Sequence, residues 1–438
     1  MVGKHIRKAL AMNRGEWRPA FSAFRARYAS PIQSVMQLGM SRLIPIAVGI
    51  LSFPLLAKLL QPGDYGRLTL LVSVATLSSA AAGSWLSSAL LRYYTAPAEP
   101  EERAAIEAWS YFRALPASIL VAVAAVVAVS FAYPVGFLPY AAACAVVAAQ
   151  MAYAIYTAVL QAKLRFQAGL VVEALKGGFY AILLVAFVAL FHGGIVGALL
   201  AAALSAVLAI VVPVIREPVP FRVRHHGYAR KFLIYGVPLM ASSICSWIIQ
   251  LSDRWFLVAH FNEHVVGAYA ANYSLVEFLV KNPATVVLQL VSLLIFRRFD
   301  ATEDEAALAR LRWYRPYMLA GSLVLALIPI LFGQSLIGIL ASSAYRLQSS
   351  VQIILSIAQF FQAMAMFEGI ALQIRYKTGT LLIAAVIAAL ANLTANALLI
   401  PVYGPLGAAS ATTIGYLVLW AAVLGGRWLV VERRRDAS

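Results

Sequence analysis

The chain is 438 residues long, 62% hydrophobic and only 12% charged, whereas soluble domains carry about 25% charged residues; a soluble globular protein is excluded. Its apolar residues come in runs long enough to cross a bilayer, which takes about 20 residues. The net charge of +17 would suit nucleic acid, but Lys and Arg cluster in alternate gaps between apolar runs, the pattern of cytoplasmic loops, so no nucleic-acid partner is expected.

Residues 1–33 are a basic tail (Lys4, Arg7, Lys8, Arg14, Arg18, Arg25, Arg27) with Trp17, Phe21, Phe24 and Tyr28 interleaved. No apolar core follows the early charges, so the tail does not read as a cleavable signal peptide. A solvated tail is the plainer reading; the aromatics favour a cationic segment lying on the anionic inner leaflet. Spans are then predicted at 34–59, 67–93, 110–133, 137–162, 167–191 and 194–215. A charged, proline-bearing segment at 216–230 links them to a second set at 231–258, 265–296, 315–333, 348–374, 378–400 and 405–426, and 427–438 is again basic. The expected fold is all-α integral membrane, about twelve transmembrane helices in two six-helix lobes, 34–215 and 231–426.

The halves repeat. Gly66 and Gly267 follow the first span of each half, and Gly197 and Gly407 recur at nearly the same offset before the last. An even number of spans per half makes the repeats parallel, related by an axis along the membrane normal, an arrangement used by transporters with a site between the halves. Cationic gaps (Arg92/Arg103/Arg113, Lys163/Arg165, Arg375/Lys377) alternate with gaps holding few or no cations, which puts both termini in the cytoplasm.

Ionisable residues inside spans cost about 2.5–3.5 kcal/mol each even on the lenient insertion scale, so those that persist need a reason. The fifth span carries Glu173 and Lys176. In the eighth, Tyr269, Tyr273, Glu277, Lys281 and Thr285 recur every fourth residue, which on a helix is one face, with Asn282 beside it. Arg42 stands toward the cytoplasmic end of the first span, and the tenth offers Gln352, Ser356, Gln359, Gln362 and Glu368. Two readings stand. Glu173–Lys176 and Glu277–Lys281 are self-neutralised structural pairs, or one buried lysine per half helps line a cavity for an anion such as phosphate or pyrophosphate, with amides and hydroxyls for sugar. On the second reading the cavity candidates are Lys176, Lys281, Glu277, Glu173, Arg42, Asn282, Tyr273 and Gln359. Arg254 reads as an interfacial anchor reaching outward, and Asn392 and Asn396 as interhelical glue. Pro45, Pro54, Pro238 and Pro283 are bends or hinges within spans. Cys144 and Cys245 lie inside spans and imply no disulfide. With no phosphate-binding Gly-Lys-Ser/Thr loop and no metal-site spacing among the six histidines, no catalytic residue, metal or cofactor is expected.

Three segments carry a family resemblance. Leu59-Leu60-Gln61-Pro62-Gly63-Asp64-Tyr65-Gly66 resembles an L-x-P-x-x-Y-G turn. Ser252-Asp253-Arg254-Trp255-Phe256-Leu257, then Val266-Gly267-Ala268-Tyr269, is similar to a D-R-hydrophobic … G-x-Y segment. Asn396-Ala397-Leu398-Leu399-Ile400-Pro401-Val402-Tyr403-Gly404-Pro405-Leu406-Gly407-Ala408-Ala409 is similar to N-x-x-L-I-P-x-x-G-x-x-G-A-A. In this order they resemble the bacterial polysaccharide (O-antigen and exopolysaccharide) flippases of the multidrug/oligosaccharidyl-lipid/polysaccharide exporter superfamily. The resemblance implies two six-helix lobes in a V in the bacterial inner membrane, and translocation of undecaprenyl-pyrophosphate-linked oligosaccharide by alternating access. It further implies coupling to H+ or Na+ and, as partners, membrane lipids and the polysaccharide polymerase machinery. Alternatives are an ion-coupled multidrug exporter, for which unpaired acids would be expected, a lipid II flippase, an assembly scaffold, and an embedded glycosyltransferase, for which the short external loops leave no room.

Overall fold

A computed structural model describes residues 47–49, 51–95, 100–216, 228–298 and 304–429. Arg42, the tail 1–33, most of the linker 216–230 and most of 427–438 lie outside these residues. The chain is an all-α, multi-pass membrane protein, and among the described residues no strand occurs. The helices are α1 (Ala47–Leu59), α2 (Pro62–Tyr94), α3 (Glu101–Ala132), α4 (Phe137–Ala162), α5 (Phe166–Leu190), α6 (Gly194–Ile215), α7 (Tyr228–His260), α8 (Glu263–Ser292), α9 (Glu305–Leu340), α10 (Ser349–Ile374), α11 (Thr378–Tyr403) and α12 (Pro405–Arg427). Over the described residues, α2 to α12 are each long and apolar enough to cross a membrane, and α1 is described only from Ala47. Large apolar side chains such as Leu120, Phe131, Phe137, Ile182 and Leu398 stand exposed on their outer faces, as they do where the solvent is lipid.

Two helices start earlier than hydropathy suggests. α3 begins at Glu101 rather than near 110, and α9 runs Glu305–Leu340 rather than 315–333. Hydropathy detects the part of a helix that needs hydrocarbon; its hydrogen bonds continue into water, where charged residues are welcome. Both early starts carry an acid paired with the end of the next helix. Lys163, just past α4, lies 2.9 Å from Glu107 of α3, and Arg375, just past α10, pairs with Glu305 of α9.

These pairs are one instance of a repeat that extends to backbone conformation. Leu164, after α4, has φ 56°, and Tyr376, after α10, has φ 54°. Gly194, the first residue of α6, and Gly404, just before α12, have φ 53° and 54°, a left-handed conformation that costs glycine nothing. A Cβ on Gly197 would stand 2.8 Å from the Phe187 carbonyl oxygen, and one on Gly407 would stand 2.3 Å from that of Leu399. Each half therefore folds its last helix back by the same close approach.

In the first lobe α2 packs on α3 and α4, and α6 on α4 and α5; in the second, α7 packs on α11, α10 on α9, and α12 on α10 and α11. The lobes meet where α2 lies along α7 and α8. The α2–α7 seam is hydrogen-bonded at its middle: the Trp247 and Trp255 indole N–H groups donate to the Ser73 carbonyl (2.8 Å) and hydroxyl (2.9 Å). Toward the basic-loop end, Gly236 fits against the Trp85 backbone, where a Cβ would lie 2.6 Å from its oxygen, and Tyr93 stacks on Phe232 at 5.3 Å.

Candidate functional site

A cavity of about 1040 Å³ lies mainly in the first lobe, bounded by α1, α2, α4, α5 and α6 and closed on its far side by Leu251, Arg254, Ser274 and Glu277 of the second. α2 contributes Thr69, Thr76, Ser79, Ser84, Ser87 and Ser88, near-helical spacings that keep hydroxyls along one side of the helix. Gln150 of α4, Glu173, Lys176 and Tyr180 of α5, and Ser205 of α6 add to the polar lining.

Two of the expected charge pairs turn out differently. Lys281 closes on Glu277 (2.5 Å) and donates to Gln250 Oε1 at 2.9 Å, so this pair is self-neutralised. Lys176 instead donates to Gln150 Oε1 at 3.1 Å and lies 3.9 Å from the centre of the Tyr153 ring; it has no ion pair within 4 Å among the described residues. The ammonium therefore makes no contact ion pair at the cavity wall, although the Glu173 and Glu277 carboxylates line the same cavity. Arg254 corrects the sequence reading. It is 7% exposed and lines the cavity, its guanidinium 5.6 Å from the centre of the Tyr273 ring and its Nε without a hydrogen-bond acceptor. Its position near a span end disguised it; only the packing of α7 against α2 turns it inward.

The face proposed for α8 is divided. Residues Glu277–Lys281 form a π turn, which Asn282 caps with its N–H to the Glu277 carbonyl. A π turn inserts one residue and rotates the remainder of the helix. Above it, Tyr269 and Tyr273 are buried in the helix packing of the second lobe; Glu277 reaches the cavity, Lys281 is turned to Gln250, and Asn282 is half-buried. Gln359 is fully buried, with neither Nε2 nor Oε1 bonded to protein, and does not line the cavity. Of the eight candidates the cavity gathers Lys176, Glu173 and Glu277; Arg42 lies outside the described residues.

One end of the cavity is shut by the repeated glycines themselves. A Cβ on Gly66 would lie 2.0 Å from the Glu263 carbonyl oxygen, and one on Gly267 1.8 Å from that of Pro62, so the two lobes touch backbone to backbone. Arg67 Nε stands 3.7 Å from Glu263 Oε1, which also accepts from the Tyr133 hydroxyl at 3.1 Å. Tyr345, between α9 and α10, donates to the Leu60 carbonyl at 2.7 Å and sets its ring edge-on to Tyr65. Burial, and after it the Glu263 carboxylate, pushes the Tyr133 phenol well above its ordinary range. At Tyr345 burial does the same, with Tyr65 and Asp64 adding to it. Both hydroxyls therefore stay protonated and able to donate.

Behind the cavity, Asp253 is buried (1% exposed). Its carboxylate accepts from the Arg254 backbone N–H (2.8 Å), the Tyr269 hydroxyl (2.7 Å) and the Thr412 hydroxyl (3.3 Å). Next to it Ser252 donates to Asn392 Oδ1 (3.3 Å) and accepts from Asn396 Nδ2 (3.1 Å), while Asn396 Oδ1 has no protein partner. Asp253 has no ion pair among the described residues. Nor does any cluster of three or more His, Cys, Asp or Glu occur among them.

A family model described as "Polysaccharide biosynthesis protein" matches residues 32–293. Among solved structures, a multidrug-resistance MATE family transporter of the MOP superfamily in an inward-facing conformation is similar at TM-score 0.69 and 15% identity, over 92% of this chain and 100% of that one. The lipid II flippase MurJ in an inward-closed conformation gives 0.66 and 17%, over 90% and 87%. A MOP superfamily transporter from Pyrococcus furiosus gives 0.63 and 14%, over 93% and 96%. At these identities the likeness is one of fold, the two-lobe arrangement of helices. Among curated proteins no significant sequence match is found.

Proposed function

Because the chain belongs to the polysaccharide biosynthesis protein family, we propose that it is a flippase. On this reading it carries undecaprenyl-pyrophosphate-linked oligosaccharide units across the bacterial inner membrane by alternating access, for O-antigen or exopolysaccharide assembly, with both termini in the cytoplasm. The observation that carries the reading is Lys176: a cation without a contact ion pair on the wall of a hydroxyl-lined cavity. A buried charge is costly unless something balances it. A pyrophosphate would do so, with Arg254 on the opposite wall as the second donor. The α2 hydroxyls and Gln150 are matched to sugar hydroxyls, the role the sequence had suggested for α10.

In cells lacking the native gene, Lys176→Ala is expected to abolish surface polysaccharide, and Lys176→Arg to restore it in part. Normal polysaccharide from Lys176→Ala would remove the anion site; lipid-linked units reaching the outer leaflet without the gene would remove the flippase assignment. We assign the coupling ion, H+ or Na+, to Asp253. A buried carboxylate that makes no contact ion pair favours a proton or a bound cation, and the Tyr269 and Thr412 hydroxyl oxygens on it suit a hard monovalent cation. Asp253→Asn is expected to leave transport unresponsive to an imposed H+ or Na+ gradient in proteoliposomes; retained gradient dependence would exclude it.

A further inference from the structure

The end of α9 nearest the basic loops carries a surface that the transport reading does not use. From Leu319 to Leu340 the helix has no charged residue and rises about 33 Å, a full hydrocarbon thickness. Everything from Glu305 to Met318 must therefore stand at headgroup level or beyond it. There the helix presents Arg310, Arg312 and Arg315 interleaved with Trp313, Tyr314 and Tyr317. Trp313 and Tyr317 are 51% and 60% exposed, with ring centroids 4.9 Å apart. The Arg310 guanidinium lies 4.5 Å from the centre of the Trp313 ring, which holds it at the surface rather than free in water.

The charges do not balance. Glu368 of α10 is completely buried and shared: Arg427 of α12 pairs with its Oε2, and Arg315 Nε stands 2.8 Å from its Oε1. That single carboxylate already serves two arginines, one of which, Arg315, leaves 46% of its side chain exposed. Arg312 is exposed and makes no ion pair among the described residues. The anion abundant at this depth is a lipid phosphate, which guanidinium donors grip in bidentate fashion, and amphipathic rings beside it fit the glycerol and upper acyl region.

We propose that the exposed side of α9 is a binding site for the headgroup of an anionic phospholipid, with Arg312 on the phosphate and the neighbouring Trp313 ring against the lipid beside it. The net positive charge selects anionic over zwitterionic lipid. The site is separate from the cavity and does not depend on what the cavity carries.

The test uses the purified full-length protein, delipidated in mild detergent and titrated with phosphatidylglycerol or phosphatidylcholine, with bound lipids counted by native mass spectrometry. Phosphatidylglycerol is expected to be retained over phosphatidylcholine. Arg312→Gln is expected to weaken that retention about fivefold, the worth of one arginine near an anionic surface. Adding Trp313→Ala should weaken it further. Because Arg312 has no ion pair to lose, its unfolding midpoint should stay at the wild-type value, which separates loss of the site from loss of the fold. Equal retention of the two lipids, or an Arg312→Gln protein that holds phosphatidylglycerol as the wild type does, overturns the proposal. So does displacement of the lipid by inorganic phosphate at equal concentration, which would make the ligand a soluble anion.

Discussion

Lys176 and Lys281 look alike as letters, each a lysine three or four residues past a glutamate within a span, yet the structure gives them different work. Lys281 neutralises Glu277; Lys176 makes no contact ion pair and stands in the cavity wall beside Gln150 and Tyr153. The difference predicts contrasting variants. Lys281→Ala strands the Glu277 carboxylate. Breaking a fully buried pair costs about 3–5 kcal/mol, and since the two side chains keep 19% and 27% exposure, about half that is expected here. Glu277→Gln with Lys281→Met should recover most of the loss, read as unfolding midpoints in detergent. A double variant no more stable than Lys281→Ala would mean that Glu277 is not held by that lysine. Gly267 supplies a second expectation. Its Cβ would meet a carbonyl oxygen at 1.8 Å, backbone rather than a side chain that can swing away. Overpacking costs about 1–3 kcal/mol, and Gly267→Ala belongs at the upper end, with a lowered unfolding midpoint and less export in the complemented strain.

At the scale of elements, α8 is where periodicity misleads. A strict four-residue recurrence reads as one polar stripe, but the π turn at Glu277–Lys281 turns the helix partway along, so the tyrosines pack inside the lobe and only Glu277 meets the cavity. No composition signal marks a π turn, because it is chosen by what the helix packs against. Deleting Leu279, inside the turn, should restore an unbroken α-helix and rotate Asn282–Arg298 by about 100°. The expected result is loss of folded protein on size-exclusion chromatography; a well-folded, active deletion would show the turn to be incidental. α9 and α3 illustrate the converse. Their apolar middles were legible, and their charged starts were not, since those are held by Glu305–Arg375 and Glu107–Lys163, contacts between residues far apart in sequence.

At the scale of the molecule, the two lobes are joined at the Gly66–Gly267 contact and along α2–α7, and the proposed alternating access would require the first of these to part. Arg67→Cys with Glu263→Cys, bridged by a short bis-maleimide, should hold that end shut and stop export; unchanged export after quantitative bridging would exclude opening there. The closure should also withstand alkali. The Tyr133 and Tyr345 phenols are raised above their unfolded value near 10, so the stability they contribute is whole below that pH. It is lost only as pH climbs through the higher folded values. Reactivity of a lone Arg67→Cys thiol, referenced to a fully exposed cysteine, should therefore stay flat to about pH 10. A rise near pH 8 would contradict it.

Hydrophobic runs, their interruptions and the placement of Lys and Arg were enough to determine a membrane-embedded helical protein, about twelve spans and two parallel halves, because lipid demands the same apolar length from every crossing regardless of its neighbours. The repeated glycines were visible as well, though only as a repeat. That they press the two halves against each other, that Arg254 points inward, that Lys281 has a contact ion pair while Lys176 has none, and that Asp253 is sealed among hydroxyls and a backbone N–H were all decided by tertiary structure. Those facts depend on which faces of α2, α5, α7 and α8 meet. A side chain's charge state and partner are properties of the contact, and a linear sequence states the residues of a contact without stating that they touch.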